Sequence, residues 1–175
     1  MQDTIYLIGF MGSGKSHVGK KLAAALYCPF SDLDALIESG SGLPIRDIFA
    51  QYGEAYFRLL ERRVLHDTAH GPKRIVATGG GAPCFFNNME WINRHGLAIY
   101  LEASPEVLAE RLWRGRTKRP LVASLQKEEL LPFIKRKIAE RSDYYQQAPV
   151  RYKITDSLQD TASDLLHNLE QITGH

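Results

Sequence analysis

The sequence predicts an α/β protein, a parallel sheet covered by helices on both faces. Three observations predict it. Short apolar runs alternate with stretches of helical periodicity along the whole chain. Glycines stand where predicted strands hand over to the next element, at Gly9 and at Gly79-Gly80-Gly81. The 175 residues, 44% apolar and 24% charged, have the size and usage of one ordinary globular domain rather than a disordered, collagen-like or coiled-coil chain. At this length folding buries roughly 70% of the unfolded surface, so neither metal nor disulfide is needed to hold the core.

The elements follow in order. Ile5 to Ile8 is an apolar run ending in glycine, read as a buried strand. From Lys15 to Leu26 the apolar positions Val18, Leu22, Ala25 and Leu26 have helical spacing. Phe30 to Asp34 is a weak strand. Pro44 suits the first turn of a helix reaching about Tyr52. Gly53 breaks it, and a longer helix follows with Phe57, Leu60, Val64 and Leu65 on one face. Arg74 to Thr78 is a strand stopped by the three glycines. Asn88 to His95 is a helix closed by Gly96 as its C-terminal glycine. Leu97 to Leu101 is a strand, and Ser104-Pro105 caps and opens a helix to about Trp113. Gly115 to Ser124 is a polar, basic loop. Helices from Lys127 to Gln146, a strand from Val150 to Ile154 and a helix from Ala162 to Ile172 complete the chain. In such sheets ligands sit outside the carboxyl ends of the strands.

Charge and composition narrow the partners. With 22 basic and 20 acidic residues the net charge is +2, which argues against a general nucleic-acid binder. The cations are uneven: Arg111, Arg114, Arg116, Lys118 and Arg119 cluster with no acid among them, which suits a small polyanion. No run reaches the roughly 18 apolar residues of a membrane helix. The start lacks the basic region and long apolar stretch of a signal peptide, so a cytoplasmic monomer without nucleic acid or membrane partners is expected. Cys28 and Cys84 fit a reducing compartment as small core hydrophobes, with a disulfide as the other possibility. His66 and His70 stand four apart on a predicted helix, and with no third ligand nearby in sequence they read as surface residues rather than a metal pair. Trp91, Trp113 and the tyrosines read as core or rim.

Gly9-Phe10-Met11-Gly12-Ser13-Gly14-Lys15-Ser16 matches G-x-x-x-x-G-K-[ST], between a predicted strand and a predicted helix. Glycines let the backbone curl so that several N–H groups converge on one concavity. The helix N-terminus adds partial positive charge. Lys15 would reach the β- and γ-phosphates of a nucleoside triphosphate, and the Ser16 hydroxyl would coordinate Mg²⁺.

Asp32 and Asp34 stand two apart where the second strand ends. One reading places both on the same side of that strand, holding Mg²⁺ through water and accepting a hydrogen bond from a hydroxyl substrate. The other is a helix N-cap followed by a solvated acid. Three consecutive glycines at 79–81 exceed what a tight turn needs, and read as close approach of backbone to a ligand.

The chain resembles the shikimate kinases over essentially its whole length. The resemblance rests on the phosphate loop, Asp32-Leu33-Asp34, and Gly53-Glu54-x-x-Phe57-Arg58-x-x-Glu61. It continues through Thr78-Gly79-Gly80-Gly81, Arg119-Pro120-Leu121, and Glu140-Arg141-x-x-x-Tyr145. It implies a single P-loop domain over residues 1–175, three-layered around a five-stranded parallel sheet, with a helical substrate-binding segment at about 33–61 and a lid at about 112–126. It implies ATP-dependent phosphorylation of the 3-hydroxyl of shikimate, on the route to chorismate and the aromatic amino acids.

By position in the family, Asp34 would bind the ring hydroxyls, and Arg58 and Arg141 the carboxylate. Gly79, Gly80 and Gly81 would offer backbone N–H groups to the substrate, and Gly12 to His17 (through Ser13, Gly14, Lys15 and Ser16) would hold the ATP phosphates. Ser16 would ligate Mg²⁺ with Asp32 in the water-mediated shell, and Arg119 would close over the phosphates as a catalytic cation beside Lys15 and Asp34. Either Arg111 or Arg114 would stack on adenine. The residues support these roles chemically, since an arginine fork donates two parallel hydrogen bonds to a carboxylate and a carboxylate accepts from ring hydroxyls. The plain alternative for Arg58 is a surface pair with Glu54 or Glu61, and for Arg141 a helix-end cation. Another small-molecule kinase, for gluconate or a nucleoside monophosphate, is the competing enzyme reading, and a nucleotide-sensing module the non-catalytic one.

Overall fold

The computed structural model describes residues 3–115, 122, 124–154 and 158–173. Arg116, Lys118, Arg119, Pro120 and Leu121, and therefore the expected Arg119 clamp and most of the expected lid, lie outside them. Five strands form one sheet: β1 (Thr4–Ile8), β2 (Phe30–Asp32), β3 (Ile75–Ala77), β4 (Gly96–Glu102) and β5 (Val150–Lys153). Their order across the sheet is β2-β3-β1-β4-β5, and every pairing is parallel. Among the described residues seven helices cover it: α1 (Lys15–Ala25), α2 (Leu33–Ser41), α3 (Ile45–Asp67), α4 (Asn88–His95), α5 (Pro105–Arg114), α6 (Lys127–Tyr145) and α7 (Leu158–Thr173). A 3₁₀ turn, Ala82–Cys84, follows the three glycines.

The core explains the apolar runs. All five residues of β1 are buried, as a strand covered on both faces requires. Side chains alternate by two, so Ile5 and Leu7 enter one cluster while Tyr6 and Ile8 enter the other. The first cluster takes Val18 and Leu22 of α1, Leu108 and Leu112 of α5, and Leu165 of α7. The second takes Leu33 and Ile37 of α2, Phe57 and Leu65 of α3, and Ile92 of α4. Each such side chain, fully buried, contributes roughly 1.5–3 kcal/mol. Helix α6 serves both clusters, with Leu130 and Ile134 on one and Tyr145 on the other.

Strand β1 sits between β3 and β4, so the connection leaving β1 runs toward one edge of the sheet and the one leaving β3 toward the other. A crevice opens at the carboxyl ends where the two diverge, which is where ligands bind in such sheets. The phosphate loop follows β1 and the triple glycine follows β3, so the fold brings both motifs to that crevice.

Several boundaries differ from the sequence reading. The second strand ends at Asp32 rather than Asp34, because the Asp32 side chain accepts from the backbone N–H groups of Asp34 and Ala35 and starts α2 there. That corrects the placing of both aspartates on one side of a strand. The break expected at Gly53, by contrast, is present: within α3 the backbone leaves the helical conformation there, with φ 78° and ψ 174° in a region essentially restricted to glycine, so α3 is two helical stretches joined at a kink. Gly96 is not a left-handed C-terminal glycine: at φ 177° and ψ −167° it is extended and already the first residue of β4. Its lack of a side chain is required by packing, since a Cβ there would lie 2.2 Å from the Thr4 carbonyl oxygen and 2.8 Å from the Tyr6 ring. His70 lies beyond the end of α3, and His66 stacks on Trp91 at 4.4 Å. Among the described residues no cluster of three metal-ligating side chains occurs. Cys28 and Cys84 are both free, each partly buried.

Candidate active site

The phosphate loop folds as its composition requires. Gly12 and Gly14 take φ values of 83° and 93°, a left-handed conformation that side chains disfavour, and Gly14 sits at the N-cap of α1. The Lys15 side chain turns back along the loop and donates to the carbonyls of Gly9 at 2.8 Å and Phe10 at 3.0 Å. Ser16 Oγ donates to Asp32 Oδ2 at 2.5 Å. Asp32 divides its two oxygens, Oδ2 toward Ser16 and Oδ1 to the N-terminus of α2 at 3.1 Å from the Asp34 nitrogen. Ser13 Oγ is buried and finds no hydrogen-bond partner among the described residues.

Asp34 belongs to the first turn of α2 and lines the cleft. The protein crowded around it raises its pKa above the ordinary carboxylate value, and repulsion from Asp32 raises it further. Lys15 and Arg58 oppose both effects. Asp34 is thus a carboxylate with a stronger hold on a proton than a surface aspartate, beside the phosphate loop.

Arg58, on α3, is held from three sides. Its Nη1 donates to Glu61 Oε2 at 2.8 Å, its Nη2 meets Glu54 Oε1 at 3.2 Å, and its guanidinium lies 4.0 Å over the Phe85 ring. Both pairs of the plain alternative therefore form. The Glu61 pair is not a surface pair, however: the Arg58 side chain is 12% exposed and that of Glu61 1%. Burial raises the Glu61 pKa, and Arg58 is the strongest influence pulling it back down. A planar cation so fixed has little rotamer freedom left to lose on binding a carboxylate.

The three glycines make room for these side chains. A Cβ on Gly79 would lie 2.7 Å from Glu61 Oε1 and 3.1 Å from Asp34 Oδ1. One on Gly81 would lie 2.9 Å from both terminal nitrogens of Arg58. One on Gly80 would lie 3.2 Å from the Met11 nitrogen of the phosphate loop and 3.5 Å from Arg141 Nη1. The glycine stretch is thus the junction of phosphate loop, acidic pair and both arginines. Arg141, on α6, lies 5.3 Å over the Phe10 ring, and its Nη1 is buried without a hydrogen-bond partner among the described residues. A buried guanidinium nitrogen in that state costs free energy that an anionic ligand would recover.

The cleft has a volume of about 460 Å³. Gly12, Gly14, Lys15, Ser16 and His17 line it from the phosphate loop and α1, Asp32 from the end of β2, Asp34 from α2, Gly79 and Gly80 from the glycine stretch, and Arg111 from α5. Arg111 Nη1 lies 3.4 Å from the Gly12 carbonyl, whereas Arg114 pairs with Glu110 and is 76% exposed. Of the expected site residues, Ser13, Arg58, Gly81 and Arg141 are not part of that lining; Arg58 stands against Gly81, and Arg141 against Gly80, at the glycine stretch.

Sequence reasoning gave no site role to three side chains, although Glu61 and Tyr145 stand in its motifs. Glu61 was legible as a partner of Arg58 three residues away, but its burial depends on the approach of Gly79. Phe85 carries no sequence signal for its stacking on Arg58. Tyr145, fully buried on α6, donates to the Gly80 carbonyl at 2.6 Å.

A family model described as shikimate kinase matches residues 11–172. A shikimate kinase of Bacteroides fragilis is 42% identical over 156 residues, covering 89% of this chain and 87% of that protein. The crystal structure of a shikimate kinase from Bacteroides thetaiotaomicron superposes with a TM-score of 0.91 at 36% identity, over 99% of both chains. A shikimate kinase from Acinetobacter baumannii, solved in complex with shikimate, gives a TM-score of 0.85 at 32% identity, over 98% of this chain and 93% of the other.

Proposed function

The chain belongs to the shikimate kinase family, and from that premise we propose how its residues transfer the γ-phosphoryl group of ATP to the 3-hydroxyl of shikimate. The observation that carries the reading is the convergence on three glycines of the phosphate loop, Asp34, Arg58 and Arg141, whose Nη1 is buried without a hydrogen-bond partner among the described residues. A small anionic polyol needs a cationic anchor for its carboxylate and an acceptor for its hydroxyl. Both stand beside a phosphate cradle here.

In this reading the backbone from Gly12 to His17 holds the phosphates, and Lys15 leaves its loop carbonyls to balance charge on the β- and γ-oxygens. Arg58 and Arg141 bind the carboxylate, and the N–H groups of Gly79, Gly80 and Gly81 support them. Asp34 accepts a hydrogen bond from the acceptor hydroxyl, orients it in line with the γ-phosphorus and takes its proton late, a role that its raised pKa supports. Transfer through a loose transition state asks for positioning and cations more than for a strong base.

The hydroxyl of Ser16 and the carboxylate of Asp32 are hard oxygen donors that fit Mg²⁺, which when bound neutralises the β- and γ-oxygens. Arg119 closes over the phosphates from the lid at 112–126, and residues 33–61 form the substrate-binding segment. Arg111 is favoured over Arg114 as the adenine partner because it lines the cleft. The whole of residues 1–175 acts as one P-loop domain. No helix among the described residues is long and apolar enough to cross a membrane. The working form in this reading is a cytoplasmic monomer, in the compartment that holds ATP.

The test is ADP release from Mg·ATP in a coupled assay, with shikimate, gluconate, a nucleoside monophosphate and no acceptor in parallel. Release that depends on shikimate alone is expected. Release with another acceptor would keep the phosphate site and overturn the substrate, and ATP binding without release would turn the protein into a nucleotide sensor.

A further inference from the structure

Tyr145 has no role in the mechanism above, yet it is fully buried and bonded to the junction of the site. Its hydroxyl donates to the Gly80 carbonyl at 2.6 Å. Its ring stacks on Tyr100 of β4 at 5.0 Å, which fixes where the hydroxyl can reach. Gly80 stands where the phosphate loop and the acceptor site meet, since a Cβ there would lie 3.2 Å from the Met11 nitrogen, 3.5 Å from the Gly9 carbonyl and 3.5 Å from Arg141 Nη1. Arg141 and Tyr145 stand four residues apart on α6, on one face of the helix, and the guanidinium faces the Tyr145 hydroxyl.

We infer that Tyr145 is a positioning residue that pins the Gly80 carbonyl, and through it sets the distance between the phosphate loop and the arginine-lined acceptor site. A peptide unit holds its carbonyl and the N–H of the next residue in one rigid plane. Holding the Gly80 carbonyl on α6 therefore fixes the direction of the N–H that follows it, at Gly81, beside Arg58. Three consecutive glycines are otherwise the least constrained backbone in the chain. The bond supplies the constraint their composition lacks. Because α6 also carries Arg141, one helix sets both the cation and the backbone of the acceptor site. Burial raises the Tyr145 pKa well above its usual value, against the pull of Arg141, so the phenol stays a proton donor at every pH where the enzyme works.

The inference rests on the functional reading above, and its test separates the two. Tyr145→Phe keeps the ring and removes the donor. Steady-state kinetics on wild type and variant, at saturating and limiting concentrations of each substrate, are paired with shikimate binding in the absence of nucleotide. The expected result is a fall of about tenfold or more in kcat/KM for shikimate, part of it in kcat, with KM for ATP within twofold of wild type; the loss matches one hydrogen bond to a part-buried group. Replacing Tyr145 with 4-aminophenylalanine, which restores a donor on the same ring, should recover most of the loss. Tyr100→Phe, which alters the stacked neighbour without touching Gly80, should leave turnover within twofold. A folded Tyr145→Phe variant with shikimate parameters within twofold of wild type would overturn the inference, as would equal losses for ATP and shikimate. If Tyr145→Phe does not fold, the 4-aminophenylalanine variant decides: near-wild-type turnover supports the donor role, and a folded but slow enzyme refutes it. Wild-type turnover of shikimate, measured alongside, tests the functional reading by itself; the ratio of variant to wild type, with whichever acceptor is used, tests the pin.

Discussion

Arg58→Ala is the substitution whose consequences the structure specifies most fully. It removes one half of a nearly inaccessible ion pair and leaves the more buried half, Glu61, without its closest counter-charge. Breaking such a pair costs about 3–5 kcal/mol. Because Arg58 retains some exposure and Glu61 also feels Arg141, the low end applies. About 3 kcal/mol lowers the melting temperature of a domain this size by about 6–12 °C. The loss depends on pH with a definite sign. The Glu61 carboxyl is already raised above its unfolded value, so the native state holds its proton more tightly than the unfolded chain does. Native stability falls as pH rises through the interval between those two values. Arg58 narrows that interval by pulling the native value down, and its removal widens it upward. The variant should therefore be most destabilised at pH 8 and recover part of the loss near pH 5.5, and Arg58→Ala/Glu61→Gln should lose that dependence. Urea melts at the two pH values measure this directly. In the assay, the missing charge-assisted bonds to the substrate carboxylate are worth about 1.5–3 kcal/mol, so KM for shikimate should rise by about ten- to a hundredfold. A loss of stability independent of pH, together with an unchanged KM, would remove both the Glu61 linkage and the carboxylate contact from the role of Arg58.

Asp34→Asn should reduce kcat by at least two orders of magnitude while equilibrium binding of ATP persists; wild-type turnover would remove Asp34 from the mechanism. Lys15→Met should cost about 10²–10³ in kcat, the scale for losing one preorganised donor to developing charge, with the melting temperature nearly unchanged. Gly53→Ala forces a side chain into the backbone conformation at the α3 kink and should destabilise the fold by about 1–3 kcal/mol in a denaturant titration. It should leave KM for ATP unaltered, because Gly53 does not line the cleft and a Cβ there would meet no other atom within 4 Å.

How much of this was legible in the sequence depends on how local each cause is. The phosphate loop was, because strand, glycine turn and helix start are all contiguous. The Ser104-Pro105 helix start was legible for the same reason, and Ser104 Oγ does accept from the Val107 nitrogen at 3.2 Å. The aspartate pair was half legible: spacing allowed either a strand end or a helix cap, and the structure combines them, with Asp32 capping and Asp34 in the cleft. Helix α2 was legible only as the alternative to a strand end at Asp32, and the strand reading ran over its first two residues. Gly96 misled for a reason no local rule contains, since its contacts are Thr4 and Tyr6 on the neighbouring strand. Glu61 misled in the same way. A spacing of three on a helix suggests a solvent-screened pair, and only the glycine stretch packed over α3 seals it from water. Tertiary approach, rather than propensity, decided each of these.

This cleft moves a phosphoryl group from ATP to one particular hydroxyl of shikimate. Two-dimensional proton–phosphorus NMR on the product of wild-type enzyme, Mg·ATP and shikimate reads that position out. A single phosphorus resonance correlated with the proton on ring carbon 3 is expected. A correlation to another ring position, or free phosphate with shikimate unchanged, would contradict the placement of Asp34, Arg58 and Arg141 around the acceptor.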